Sequence, residues 1–289
     1  MSEITAGVLH GTLIDKRRKD PVVLIVPGSG PTDRDGNNPM GMKSDAYKML
    51  AERLIAEDIA SVRIDKRGMF GSAGAGDPNI TSPQAYVDDI HAWIDAIKAE
   101  RGTDCVFLLG HSEGALLVSL AAEGRKDVCG LILVSGMGRT FGAVVREQLT
   151  SNPANAPVLD QAMHALDELS TGRDVDVSTM HPALAGLFAP NVQPYMKALI
   201  NIDPVEALRR ADKQALIVQG THDIQISVED AKLLHTAPKT RLRLIENMNH
   251  ILKEAPADRA GNIATYSDPS LPLAKGLVSK IEDFIDDND

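Results

Sequence analysis

A short apolar run, Cys105-Val106-Phe107-Leu108-Leu109, empties into Gly110-His111-Ser112-Glu113-Gly114. Small and apolar residues follow at helical spacing through Ala115, Leu116 and Leu117. That order spells a strand, a sharp turn and a helix, with one serine at the apex. It matches G-x-S-x-G, the turn that thrusts a nucleophilic hydroxyl out of the end of a sheet. Backbone torsions at such an apex are strained, and the flanking glycines remove Cβ atoms that would collide with strand and helix. The new helix also offers unpaired N–H groups and a partial positive charge beside the serine. Few other folds accept this sequence between a buried strand and a helix.

The rest of the chain supplies the sheet that such a turn needs. Pro21 to Val26 is a continuous apolar run, the mark of a strand buried on both faces. Ala60–Asp65, Gly130–Gly136, Ala215–Gly220 and Arg241–Glu246 read as further strands. Helical patterns lie between them: one begins near Ser44, one is capped by Ser82-Pro83, one lies near Val228–His235, and the last is at Pro272–Ile285. Gly7–Ile14 alternates weakly into the charged stretch Asp15–Asp20, which suggests an edge hairpin turning there. Strands alternating with helices imply a mostly parallel sheet with helices on both faces. From about Met137 to Ala211 the alternation stops, and helical patterns are broken by six prolines. We expect a core of residues 1–136 and 212–289, with 137–211 inserted as a helical cap over the strand ends.

A serine hydroxyl needs a base within reach, and the base needs an orienting group. In an open parallel sheet these collect at the carboxyl ends of strands. Thr221-His222-Asp223 follows one strand, and Asn247-Met248-Asn249-His250 follows the last. Ser112, Asp223 and His250 are therefore the expected catalytic set. His222 is the rival base, but it abuts Asp223 and should point away; Asp203 and Asp212 are worse placed as the acid. His10, His91, His164, His181 and His235 read as surface or packing residues. For the oxyanion, the expected donors are the backbone N–H groups of Glu113 and Ser29, the latter in the close-approach loop Gly28-Ser29-Gly30. That loop lacks the third glycine of a dinucleotide fingerprint, and no phosphate-binding lysine motif follows it. No H-E-x-x-H or paired-cysteine spacing points to zinc, so neither a metal nor another cofactor is expected.

These motifs carry a resemblance. Gly28 to Asn37, Asp65-Lys66-Arg67-Gly68, Gly110-His111-Ser112-Glu113-Gly114 and Asn249-His250 resemble the α/β-hydrolase superfamily over nearly the whole chain. Within it they are similar to bacterial serine carboxylesterases with serine-aminopeptidase-like domains. The resemblance implies the α/β-hydrolase fold and cleavage of short- to medium-chain acyl esters by a Ser-Asp-His triad under a helical cap. Pro27 departs from the histidine that many members carry before the oxyanion glycine, which puts the second donor's geometry in question. Thioesterase, C–C hydrolase and aminopeptidase chemistry share this triad, and a non-catalytic binding protein could keep the fold. Gly28, Gly30, Arg34, Phe188 and Tyr195 are candidate substrate contacts, with Leu187 and Met196 beside them. Arg34, in Asp33-Arg34-Asp35, either braces the oxyanion loop or meets a polar substrate group; a calcium site there is the weaker alternative.

Charge narrows the partners. The 289 residues carry a formal net charge of −10, which disfavours nucleic acid and anionic membranes. No run approaches membrane-spanning length, and the first residues lack the basic and apolar segments of a signal peptide. The two cysteines, Cys105 and Cys129, each open a strand and read as free thiols in a reducing cytoplasm. A small-molecule ester is the expected partner; whether the chain forms a homo-oligomer is left open.

Overall fold

The computed structural model describes residues 1–79 and 81–289. Its centre is one eight-stranded sheet. In spatial order the strands are β1 (Ser2–Ala6), β2 (Leu9–Ile14), β4 (Ala60–Ile64), β3 (Val22–Val26), β5 (Val106–His111), β6 (Val128–Val134), β7 (Ala215–Gly220) and β8 (Thr240–Ile245). The edge strands β1 and β2 run antiparallel, and the six strands from β4 to β8 are mutually parallel. The edge hairpin turns at Gly7, whose φ of 63° suits glycine, and not at Asp15–Asp20, which instead joins β2 to β3.

Alternate side chains along each strand serve two separate cores. Val22, Leu24 and Val26 face α2 (Pro83–Arg101) and α3 (Glu113–Ala122), whose Ile90, Trp93, Ile97 and Val118 are buried against them. Val23 and Ile25 face the opposite layer, formed by α1 (Ala46–Ala56) and the C-terminal helix through Leu50, Leu54, Ile281 and Phe284. Both faces of the central strands are thus covered, which is why they read as unbroken apolar runs.

Between β6 and β7 the chain forms α4 (Phe141–Thr150), α5 (Leu159–Ser170), the short α6 (Pro182–Ala185), α7 (Gln193–Leu199) and α8 (Pro204–Ala211). The first four enclose a core of their own, with Ala162, Leu166, Leu169, Leu184, Phe188 and Met196 buried together. By contrast, Leu208 and Ala211 of α8 are buried with the sheet's own core, so that helix packs as part of the α/β layers. The remaining helices are α9 (Val228–Leu234), α10 (Arg259–Ala264) and α11 (Leu277–Asp286).

Cys105 and Cys129 are joined in a disulfide, which corrects the expectation of free thiols. Cys105 immediately precedes β5 and Cys129 lies in the adjacent strand β6; their Cα atoms are 5.3 Å apart, within bridging range. The cytoplasmic expectation loses the support it drew from reduced cysteines. Among the described residues, no helix is long and apolar enough to cross a membrane.

Candidate active site

The carboxyl ends of β3, β5, β7 and β8 deliver the expected residues to one place. β5 ends at His111, and Ser112 then takes φ 55° and ψ −121° before α3 begins at Glu113. A serine rarely adopts such torsions; here Ser112 N–H donates to Val134 O at 2.9 Å and holds the turn against β6. The flanking glycines are sterically required: a Cβ on Gly110 would lie 2.2 Å from Gly114 O. On the β3 loop, a Cβ on Gly28 would lie 2.9 Å from Ser112 Cβ, so only glycine lets that backbone pass so close to the hydroxyl.

His250 Nδ1 donates to Asp223 Oδ2 at 2.9 Å. The carboxylate is held on every side. Oδ1 accepts the N–H groups of Gln225 and Ile226 at 2.8 and 2.9 Å, and Oδ2 also accepts Gln219 Nε2 at 3.2 Å. Burial pushes the Asp223 carboxyl up, but the His250 charge and these hydrogen bonds outweigh it and hold the group below its ordinary value. The acid is ionised wherever the imidazole can titrate. Asn249 secures the His250 loop, donating to Thr265 Oγ1 at 2.8 Å and accepting Lys253 N–H at 3.1 Å. The rival His222 instead donates Nδ1–H to Ala255 O at 2.6 Å. Ser112 and His250 line the same cavity, although no hydrogen bond joins them here. Such contacts commonly tighten only once substrate is bound.

Two residues that the sequence reading left without a role tie this site together. His111 Nε2 donates to His250 O at 2.8 Å, and its Nδ1 accepts from the Tyr47 hydroxyl at 2.7 Å. Burial, reinforced by the His250 charge, pushes the His111 imidazole down to about 3, so it stays neutral and in one tautomer. These two hydrogen bonds therefore link helix α1, the nucleophile strand and the loop of His250. The signal was present in Gly110-His111-Ser112, but nothing in the sequence says which way that imidazole points.

Neither Ser29 N–H nor Glu113 N–H donates to another group among the described residues. Both residues stand beside Ser112, and Gly28 and Ser29 line the cavity. The side chains behind them form a buried polar cluster that the sequence reading missed. Glu113 Oε2 accepts from Ser29 Oγ and Oε1 from Tyr195 OH, each at 2.5 Å. Lys66 Nζ donates to Gly28 O at 2.6 Å and lies 5.6 Å from the Tyr86 ring centre. Burial pushes the Lys66 ammonium down, opposed by the Glu113 charge.

The cavity above Ser112 has a volume of about 710 Å³. Its walls are mainly apolar, from Met40, Phe141, Val144, Leu187, Ile226 and Ile251, among others. Amides from Gln148, Asn152 and Gln225 interrupt them. Arg259 is the one Asp, Glu, Lys or Arg among the described lining residues.

Several expected contacts fall outside this lining. Arg34 pairs with Asp65, with Nε and Nη2 on Oδ2 at 2.9 and 2.6 Å, so it braces the loop from outside the cavity lining. Asp33 accepts the Asp35 and Asn37 N–H groups and Asp35 pairs with Arg63, which leaves no carboxylate cage for calcium. Gly30 is not part of the wall. Phe188 is fully buried in the insertion's own core, while its neighbour Leu187 reaches the cavity. Tyr195 turns to Glu113 and Met196 packs inward. Apolar spacing on short helices could not separate inward from cavity-facing sides. Among the described residues, no group of three or more His, Cys, Asp or Glu side chains is placed to hold a metal ion.

Known proteins resemble this chain. A family model described as serine aminopeptidase, S33, matches residues 38–176, which includes the Ser112 turn but stops short of Asp223 and His250. Esterase EstD of Thermotoga maritima is 24% identical over 262 residues, covering 86% of this chain but 59% of that protein. The chain thus spans somewhat over half the length of that relative. Human monoglyceride lipase is 25% identical over 228 residues, covering 75% of this chain and 74% of its own. Among solved structures, Est1E from Butyrivibrio proteoclasticus, described with ferulic acid bound, superposes with a TM-score of 0.59 at 16% identity, covering 100% of this chain and 99% of that one. Taken with the strand order and the strained serine turn, these matches show the α/β-hydrolase fold.

Proposed function

We propose that this protein is a serine carboxylesterase acting on short- to medium-chain acyl esters. Ser112 Oγ attacks the ester carbonyl while His250 takes its proton, and Asp223 fixes the imidazole tautomer and stabilises the cation that forms. The tetrahedral oxyanion sits between the free N–H groups of Glu113 and Ser29. Collapse releases the alcohol, which receives the proton from His250. Water, deprotonated by the same imidazole, then attacks the acyl-enzyme, and the acid leaves. Helices α4 to α7 serve as a cap that walls the acyl pocket. The observation that carries this reading is the Asp223–His250 pair at 2.9 Å, lining one apolar cavity with the strained Ser112.

The family model's description raises an aminopeptidase as the second reading. An aminopeptidase must hold the substrate's α-ammonium, and a buried cation needs an anionic partner. No carboxylate is found among the described lining residues, whose one charged side chain is a cation. The lining favours neutral esters over peptides. The names of EstD and of monoglyceride lipase point the same way.

The test is hydrolysis of p-nitrophenyl acetate, butyrate and octanoate by wild type and Ser112→Ala, with alanine p-nitroanilide as the peptide-like control. We expect ester turnover in wild type and a loss of about 10⁴–10⁶ in kcat in the variant. Equal rates in both proteins would remove Ser112 from the reaction. Turnover of the anilide alone would establish the aminopeptidase.

A further inference from the structure

A carboxylate one residue from the nucleophile is a liability for a serine hydrolase, because its charge opposes the oxyanion that forms nearby. Glu113 is almost fully buried, so water cannot screen it. The structure surrounds it instead. Two hydroxyls, from Ser29 and Tyr195, each donate to one of its oxygens at 2.5 Å, and the buried Lys66 ammonium lies behind the Ser29 loop. These four side chains come from four parts of the chain. Ser29 is on the loop after β3, Lys66 follows β4, Glu113 opens α3, and Tyr195 lies on α7 of the helical insertion. Lys66 grips the oxyanion loop at Gly28 O, and Glu113 grips it one residue later at Ser29 Oγ.

We propose that the Glu113 side chain is a positioning residue that seats both oxyanion donors, and that Tyr195 is the contact through which the helical insertion sets its position. This rests on the serine-hydrolase reading above. The Glu113 backbone N–H is one donor; its carboxylate aligns the loop bearing the other, the Ser29 N–H. With Tyr195 seated, both carboxylate oxygens are satisfied, and their charge is drawn away from the oxyanion. With α7 displaced, one oxygen loses its donor, and the uncompensated charge and the freed side chain both disturb the hole. Seating of the insertion therefore acts on the chemical step and not only on substrate entry.

Tyr195→Phe removes the one hydroxyl and keeps the ring that packs edge-on against Tyr86, with centroids 5.9 Å apart. We would measure kcat and KM for p-nitrophenyl butyrate. We would also measure inhibition by an alkyl trifluoromethyl ketone, whose hemiketal with Ser112 places an oxyanion in the hole, and labelling by a fluorophosphonate, which needs no knowledge of the substrate. The expected result is a loss of about 5–20-fold in kcat and in ketone affinity, with KM within about twofold and labelling slowed in step. Glu113→Gln, which keeps shape but not charge or full acceptor capacity, should follow the same pattern with a larger loss. If that variant does not fold, Tyr195→Phe alone decides.

Unchanged ketone affinity and labelling in Tyr195→Phe, or a loss carried wholly by KM, would overturn the proposal. Ser112→Ala as active as wild type would overturn the underlying reading as well. An inactive Ser112→Ala beside an unaltered Tyr195→Phe would sink the positioning role only.

Discussion

The two chain neighbours of Ser112 are buried to nearly the same degree, His111 at 6% exposure and Glu113 at 4%, yet the fold handles them in opposite ways. On the His111 side the hydrogen-bonded groups are neutral: the Tyr47 phenol, an uncharged imidazole and the His250 carbonyl follow one another. On the Glu113 side a carboxylate is held by two hydroxyls, and a buried ammonium holds the carbonyl of Gly28 in the loop beside it. Burial alone therefore does not decide how a titratable group is accommodated. What decides is whether the packed elements bring donors and a counter-charge to it. His111 has a hydroxyl and a carbonyl in reach and no carboxylate on its ring, so it gives up its proton.

The sharpest way to break this contrast is to remove the counter-charge. Lys66→Met should leave Gly28 O without its donor and remove a buried positive charge from the surroundings of Glu113, costing about 1.5–3 kcal/mol of stability. In urea titrations, combining it with Glu113→Gln should restore a good part of that loss, a coupling of at least about 1 kcal/mol. Strict additivity of the two losses would mean that the lysine and the carboxylate do not act as a pair.

Acid should attack the neutral side first. The His111 pKa falls from 6.5 unfolded to about 3 folded, so below pH 6.5 the unfolded chain binds a proton that the native protein refuses. Its contribution is complete above pH 6.5 and is lost as pH falls towards 3, at up to about 1.4 kcal/mol per pH unit. His111→Gln, which cannot titrate, should flatten the fall in stability between pH 6.5 and 4. An acid limb of unchanged slope in that variant would show that other groups govern it.

The smallest effect should come from outside both networks. Arg34→Met leaves buried Asp65 without its partner and should lower stability by about 1–3 kcal/mol. The kcat/KM for p-nitrophenyl butyrate should stay within about threefold of wild type. A selective rise in KM would return Arg34 to the list of substrate contacts.

Much of this arrangement was legible in the residues themselves, and the boundary of legibility has physical causes. Continuous apolar runs announced β3, β5 and β7 because strands covered on both faces have no polar side to show. Ser2–Ala6 escaped notice because an edge strand buries only Ile4 and Ala6. Ser112, Asp223 and His250 could be named from their places after strands, since the parallel order forces those ends together. Tyr47, Lys66 and Tyr195 could not, because their roles depend on side-chain direction across 38 to 82 positions of chain separation, from Lys66 to Gly28, Tyr47 to His111 and Tyr195 to Glu113. Local periodicity carries no such information. It likewise placed Phe188 and Leu187 together, whereas only packing distinguishes the one in the insertion's core from the one at the cavity.

The disulfide gives the Ser112 turn a further property. Residues 105 to 129 form a closed covalent ring that contains all of β5, the serine turn, all of α3 and the start of β6. In the unfolded chain this ring removes conformational freedom amounting to about 3–4 kcal/mol on a chain-entropy account. It also changes what a single backbone cut can do. A protease that nicks the loop between α3 and β6 would open the ring without parting the molecule, and gel electrophoresis would show two pieces only after a reducing agent was added. A cut anywhere outside the ring would separate at once on denaturation. The segment bearing the proposed nucleophile is thus the one stretch of this chain that survives as a single covalent body when it is broken.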